Sequence, residues 1–311
     1  MPYEYEITQL QSPDFPWQIV AYVFANGIAA GAFIIAALMA AFGGNFVKAG
    51  LHRAYYISFI ASPICGLLLI GKLQIKSRFI NVLWNSRDGV IMFNPNSPMS
   101  IGGWVLSVFA VFATIGVIYA IGKDGWIQWK WFGKLVTMAR FLHEGVISKG
   151  YLLLGSVVAG WFASYIGILV TTTHLPPWNA TPLIPVLWIV SAMALGASTV
   201  ILLLLLSKNN QNLDLINRIN RIVGSMVVLN IIVIVAFVIG LGQWSYAVNS
   251  GHYGILLWGV AVVLGLLVPL ILIMKPAILG RRKSLITSSV LILLGGLALR
   301  YVVLMGPQAM W

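Results

Sequence analysis

Apolar residues in this chain come in long runs, with polar residues gathered between them. The runs cover residues 18–42, 54–73, 100–121, 147–171, 183–206, 222–241, 254–274 and 284–304. A helix needs about 20 mostly apolar residues to cross the hydrocarbon layer of a bilayer. No water satisfies the backbone there, so each run must close its own hydrogen bonds as a helix rather than a strand. The pattern predicts an all-α integral membrane protein with eight transmembrane helices. The two longest connections, residues 74–99 and 122–146, mix aromatic and charged residues at irregular spacing. They have room for short interfacial helices, and Trp126, Trp129 and Trp131 read as anchors at the membrane surface.

Basic residues orient the spans. Of 19 Lys and Arg, 14 fall in the connections after the first, third, fifth and seventh runs, from Lys48 and Arg53 to Arg281, Arg282 and Lys283. The opposite connections hold Lys72, Lys76, Arg78 and Arg87, and Arg300 lies within the last run, about a turn from its end. The positive-inside rule places the basic side in the cytoplasm and both termini outside, and an even number of crossings requires the two ends to agree. The first 16 residues contain Glu4, Glu6 and Asp14 but no Lys or Arg, so the first span is expected to be mature structure and not a cleaved leader.

Composition narrows the chemistry. The chain has 311 residues, of which 60% are hydrophobic and 8% charged, and this excludes an ordinary soluble domain. The net charge of +12 comes from these short basic loops, which argues against nucleic acid as a partner and for the lipid bilayer. A single cysteine, Cys65, cannot build a disulfide framework, a cysteine-ligated cluster or a zinc site. Bis-histidine haem is disfavoured because His52, His143, His174 and His252 all fall in loops or at helix ends. No carboxylate and histidine spacing suits a di-metal site, and no glycine loop suits a nucleotide. Instead Gly27 and Gly31, four residues apart, indicate close helix packing. No soluble linker divides the chain, so residues 1–311 form a single membrane domain. Spans one to four (1–171) carry most of the in-membrane polar groups, and spans five to eight (172–311) read as scaffold.

Polar groups in a membrane are costly, so their positions are informative. Gln18, Tyr22 and Asn26 recur at four-residue steps and share one face in the outer half of the first helix. Two readings are open: a hydrogen-bonded seam between helices with Asn26 as packing glue, or the wall of a binding pocket. The fourth span brings Ser164, Tyr165 and then His174 and Trp178 to the same side. Lys72, at the outer end of the second span, either snorkels to the interface or sets a cation beside the pocket, and Arg300 faces the same choice. His143 and Glu144 could begin a proton route from the cytoplasm or form a solvated helix entrance.

The run Phe93-Asn94-Pro95-Asn96-Ser97-Pro98, followed by Gly102, Gly103 and Trp104, resembles a signature of the polysulfide-reductase membrane-subunit (NrfD-type) family. Tyr165-Ile166-Gly167 with Pro177-Trp178-Asn179, and Arg78-Phe79 after the second span, are similar to that family as well. The resemblance implies two four-helix bundles in the cytoplasmic (inner) membrane and a menaquinone or ubiquinone held near the outer face. It also implies an iron-sulfur subunit, usually with a molybdopterin catalytic subunit, docked outside. In this chain the positions of the family's quinone ligands fall on Gln18, Tyr22 and Tyr165. The family's helix-one imidazole is replaced, which leaves Tyr22, His174 or water for proton exchange. The family's acidic run after the second span reads Lys72-Leu73-Gln74-Ile75-Lys76 here. Asn26, Lys72 and Trp178 complete the expected cofactor-binding set. A small-solute or ion transporter and a structural anchor with a degenerate pocket are the competing expectations.

Overall fold

A computed structural model of the chain describes residues 15–310 except 44–47, 73–75, 86–87, 128–129, 174–175 and 208–212. Its principal helices are α1 (Trp17–Phe42), α2 (Ala54–Lys72), α3 (Pro98–Asp124), α4 (Lys130–Glu144), α5 (Ser148–Thr171), α6 (Ile184–Leu206), α7 (Leu213–Gly240), α8 (Gly251–Met274) and α9 (Arg281–Gln308). All but α4 are long and apolar enough to cross a membrane, giving eight spans among the described residues.

Helix α1 is the hub, packed against α2, α5, α6 and α9. Small residues make this possible. A Cβ on Gly31 would lie 1.8 Å from the Ala192 carbonyl oxygen, and one on Gly196 would lie 2.1 Å from the Ala32 nitrogen, so α1 and α6 touch backbone to backbone. Helix α2 packs on α3 and α3 on α5, while α6 contacts α7 and α9, and α9 runs beside α8. Over Ile255–Leu267, α8 is wound as a π-helix.

Two sequence boundaries shift, and one connection proves to hold a helix. The sixth span begins at Leu213, well before residue 222, because the helix continues out of its apolar stretch through Asn217, Arg218, Asn220 and Arg221. The last span runs to Gln308 and carries Pro307 inside it, so Arg300 lies about two turns from its end instead of one. The second long connection contains α4, which buries Phe132, Ala139 and His143 along one stripe and leaves Trp131, Leu135 and Met138 exposed.

Before α3 the chain forms a 3-10 turn, Lys76–Val82, and a two-residue hairpin pairing Trp84 with Ile91. The two ends of the described chain meet. Gln308 Oε1 accepts from the Phe15 backbone N–H at 2.8 Å, and Gln308 Nε2 donates back to the Phe15 carbonyl at 3.2 Å.

Candidate functional site

Two polar groups of residues sit at opposite ends of the first four spans. The first lies where α1 begins and α5 ends. Four-residue spacing sets Gln18, Tyr22 and Asn26 on one face of α1, and Tyr22 is 1% exposed. Tyr165 on α5 is 6% exposed and close enough to Tyr22 for the two phenols to interact electrostatically. Asn26 Nδ2 donates to the Phe162 carbonyl at 2.8 Å. Asn26 is therefore committed to the α1–α5 seam. On the α2 side, the Cys65 thiol lies 3.9 Å from the Tyr22 carbonyl oxygen. Two acceptors, Gln18 Oε1 and Asn26 Oδ1, are buried without a partner among the described residues, and orphaned buried oxygens of this kind are the ones a ligand hydroxyl or water would satisfy.

The loop before α3 builds the next wall. Ser97 caps α3, its Oγ accepting from the Ser100 N–H, and Pro98 fills the first turn, where a missing N–H costs nothing. Asn94 Oδ1 accepts from the Asn96 N–H at 2.9 Å, while the Trp104 indole donates to the Met92 carbonyl at 2.8 Å and stands edge-on to Phe93. This places Gly102 against Tyr165: a Cβ there would be 1.9 Å from Tyr165 Cζ. The motif is thus a helix cap and loop brace that ends in a glycine made necessary by the tyrosine ring. Cys65 and Gly102 carry no polar signal in the sequence, and only the glycine's place beside the signature marks it.

The other expected ligands divide. Trp178 is buried, donates from Nε1 to the Val303 carbonyl at 3.0 Å, and meets Phe15 edge-on, so it ties its loop to α9. The side chain of Lys72 and all of His174 lie outside the described residues. The structure brings Tyr22, Asn26 and Tyr165 together, with Gln18 one turn further along α1.

Arg300 is wholly buried, 0% exposed. Its Nε donates to the Val23 carbonyl at 3.0 Å, and NH1 donates to Ser191 Oγ at 2.8 Å and to the Gly296 carbonyl at 3.0 Å. The guanidinium lies 5.2 Å from the Trp188 ring centre, and NH2 has no hydrogen-bond partner among the described residues. Of its two expected roles, snorkelling does not apply. The side chain instead fastens α9 to α1 and α6.

The second polar group gathers where α2 begins and α3 ends. Asp124 Oδ1 meets His52 Nε2 at 3.1 Å and an Arg53 guanidinium nitrogen at 3.5 Å, and Oδ2 accepts from the Tyr56 hydroxyl at 2.9 Å. Next to it, His143 is 5% exposed, stacks on Tyr119 at 4.4 Å, and presents Nδ1 to the Ala139 carbonyl at 2.8 Å. Burial pushes the His143 imidazole down to about 4, the backbone contact and the neighbouring Glu144 carboxylate opposing only in part. Glu144 accepts from the Tyr119 hydroxyl at 2.8 Å and pairs with Lys123 at 2.7 Å. The solvated-entrance reading therefore does not describe His143, which is packed and neutral near pH 7. Among the described residues, no three His, Cys, Asp or Glu side chains gather as a metal site.

Comparison with known proteins covers nearly the whole sequence. The family model described as polysulphide reductase, NrfD, matches residues 8–310. The chain is 24% identical to the Protein NrfD homolog of Haemophilus influenzae over 96% of both proteins. It is 26% identical to the C subunit of polysulfide reductase from Wolinella succinogenes, over 97% of this sequence and 96% of that one. Protein NrfD of Escherichia coli is 24% identical over 82% of this sequence and 83% of its own length.

Proposed function

The chain belongs to the NrfD polysulphide reductase family, and on that premise we propose that this membrane subunit of an oxidoreductase binds a quinone where α1, α2, α3 and α5 meet. The observation that carries the reading is the convergence of Tyr22 and Tyr165 from two helices, beside a buried Gln18 oxygen that no group among the described residues satisfies. When bound, the quinone supplies a two-electron, two-proton couple. A phenolic O–H donates to a carbonyl oxygen and accepts from a hydroxyl, so Tyr22 and Tyr165 suit both redox forms. The Gln18 amide does the same, its NH2 donating and its Oε1 accepting. Apolar walls with a few polar contacts are the usual make-up of such a slot. Both tyrosine rings are buried, so a ligand reaches them only when neighbouring side chains give way.

Electrons pass to or from a partner subunit with an iron-sulfur cluster, usually alongside a molybdopterin catalytic subunit, both docked at the end where α1 begins and α5 ends. The family, and the relative named as the C subunit of polysulfide reductase, support this assignment. The excess of Lys and Arg at the other end supports a cytoplasmic-membrane location with both termini outside. Protons reach the pocket through water or His174.

Replacing Tyr165 by Phe keeps the ring against Gly102 and removes only the hydroxyl. The expected outcome is a fall in quinone-linked turnover of the assembled complex by on the order of tenfold, with partner subunits still co-purifying. Unchanged turnover removes Tyr165 from the site.

A further inference from the structure

At the end opposite Tyr22 and Tyr165, a cleft opens between α7, α8 and α9, with a volume of about 950 Å³ including its mouth. One half of its wall is polar, with Asn217, Asn220, Arg221 and Arg281; the other half is apolar, with Leu272 and Ile273 prominent. Arg281 donates to the Asn217 side chain, which holds one guanidinium at the rim, and Asn220 Oδ1 is buried without a partner among the described residues. Arg221 also lines a second groove, of about 870 Å³ with its mouth, on the other side of α7. That groove joins Arg218 and Arg221 to Leu38, Phe42 and Ile222. Among the described residues no Asp or Glu lines either cleft.

We infer that the α7–α9 cleft is a specific site for an anionic phospholipid, with Arg221 and Arg281 on the phosphate diester and the acyl chains along Leu272 and Ile273. Three observations support it. Arg281 opens α9 and Arg221 lies about two turns into α7, each at the margin of its helix's apolar stretch, the depth at which a headgroup phosphate lies. Guanidinium is the side chain that binds phosphate oxygens in pairs, and two of them face one cleft with no carboxylate to neutralise them. The cleft also passes from basic to apolar within one cavity, which matches an amphiphile and does not match a free anion. Basic pockets between membrane helices are a recognised way of holding such headgroups. The site lies apart from the proposed quinone pocket, and neither reading depends on the other.

The test uses the full-length protein in its purified complex, delipidated in detergent and then titrated with phosphatidylglycerol or with phosphatidylcholine of the same acyl chains. Bound lipid is counted by native mass spectrometry. The wild type is expected to retain at least threefold more phosphatidylglycerol than phosphatidylcholine, and this preference should vanish in R221Q/R281Q but persist in R140Q, an exposed arginine on α4. Equal retention of the two lipids by the wild type overturns the inference without any variant. Undiminished preference in R221Q/R281Q overturns it as well. In a parallel arm with inorganic phosphate, displacement of the lipid at millimolar concentration would assign the arginines to a free phosphate and reject the lipid. If R221Q/R281Q does not assemble, R221K/R281K, which keeps charge but loses the planar fork, is expected to show an intermediate preference; full wild-type preference there rejects the paired guanidinium contact.

Discussion

The ring of Tyr165 occupies the place a side chain on residue 102 would need: a Cβ there would stand 2.3 Å from the phenolic oxygen. Gly102 belongs to the opening turns of α3, just past its Ser97 cap, and Tyr165 to the last turns of α5, so this contact fixes two helices and one hydroxyl at once. Gly102→Ala is expected to push the ring aside without disturbing the Ser97 cap. Quinone-linked turnover should fall on the order of a hundredfold, the scale of a misplaced functional group, while assembly, measured by co-purification, stays intact.

Arg300 should not tolerate lysine. The guanidinium reaches the Val23 carbonyl through one nitrogen and Ser191 through another, a span that a single ammonium cannot cover. Losing one charge-assisted hydrogen bond and leaving its acceptor unpaired costs about 2 kcal/mol, so Arg300→Lys is expected to unfold at a clearly lower temperature in a detergent melt.

Asp124→Asn removes the carboxylate that His52, Arg53 and Tyr56 share. With Asp124 only 10% exposed, breaking the cluster from one side should cost about 3 kcal/mol. Tyr56→Phe should cost about 1 kcal/mol, since it removes a single hydrogen bond. Thermal melts of both variants, ranked in that order, check the arrangement.

His143 gives a pH dependence. Its pKa in the fold is about 4, below the ordinary imidazole value, so as pH falls the unfolded chain takes up the proton first. Stability from this residue is complete above about pH 6.5 and declines toward pH 4, by about 1.4 kcal/mol for each pH unit. The difference in melting temperature between pH 7 and pH 4.5 should be smaller for His143→Phe than for the wild type.

All eight spans are legible in the sequence because lipid leaves a backbone no alternative to a helix, and apolar length then fixes each position within a few residues. The exception is the start of α7, where Asn217, Arg218, Asn220 and Arg221 give a loop-like composition to a helical segment that leaves the apolar layer. The four-residue step of Gln18, Tyr22 and Asn26 correctly predicts a shared face, and Gly27 and Gly31 correctly predict close packing against neighbouring helices. Periodicity within a helix carries that information. It carries none about contacts between helices, so the meeting of His52 with Asp124, 72 positions apart, has no signature. The depth of Arg300 escapes the sequence for a related reason: the apolar run stops at residue 304, short of the helix end that α9 adopts.

The clasp between Phe15 and Gln308 closes the described chain almost into a loop. A circular permutant that joins Gln308 to Phe15 through a short flexible connector and opens the chain elsewhere should keep its helix neighbours. By the same token, a pull on either side of the clasp is shared by α1 and α9.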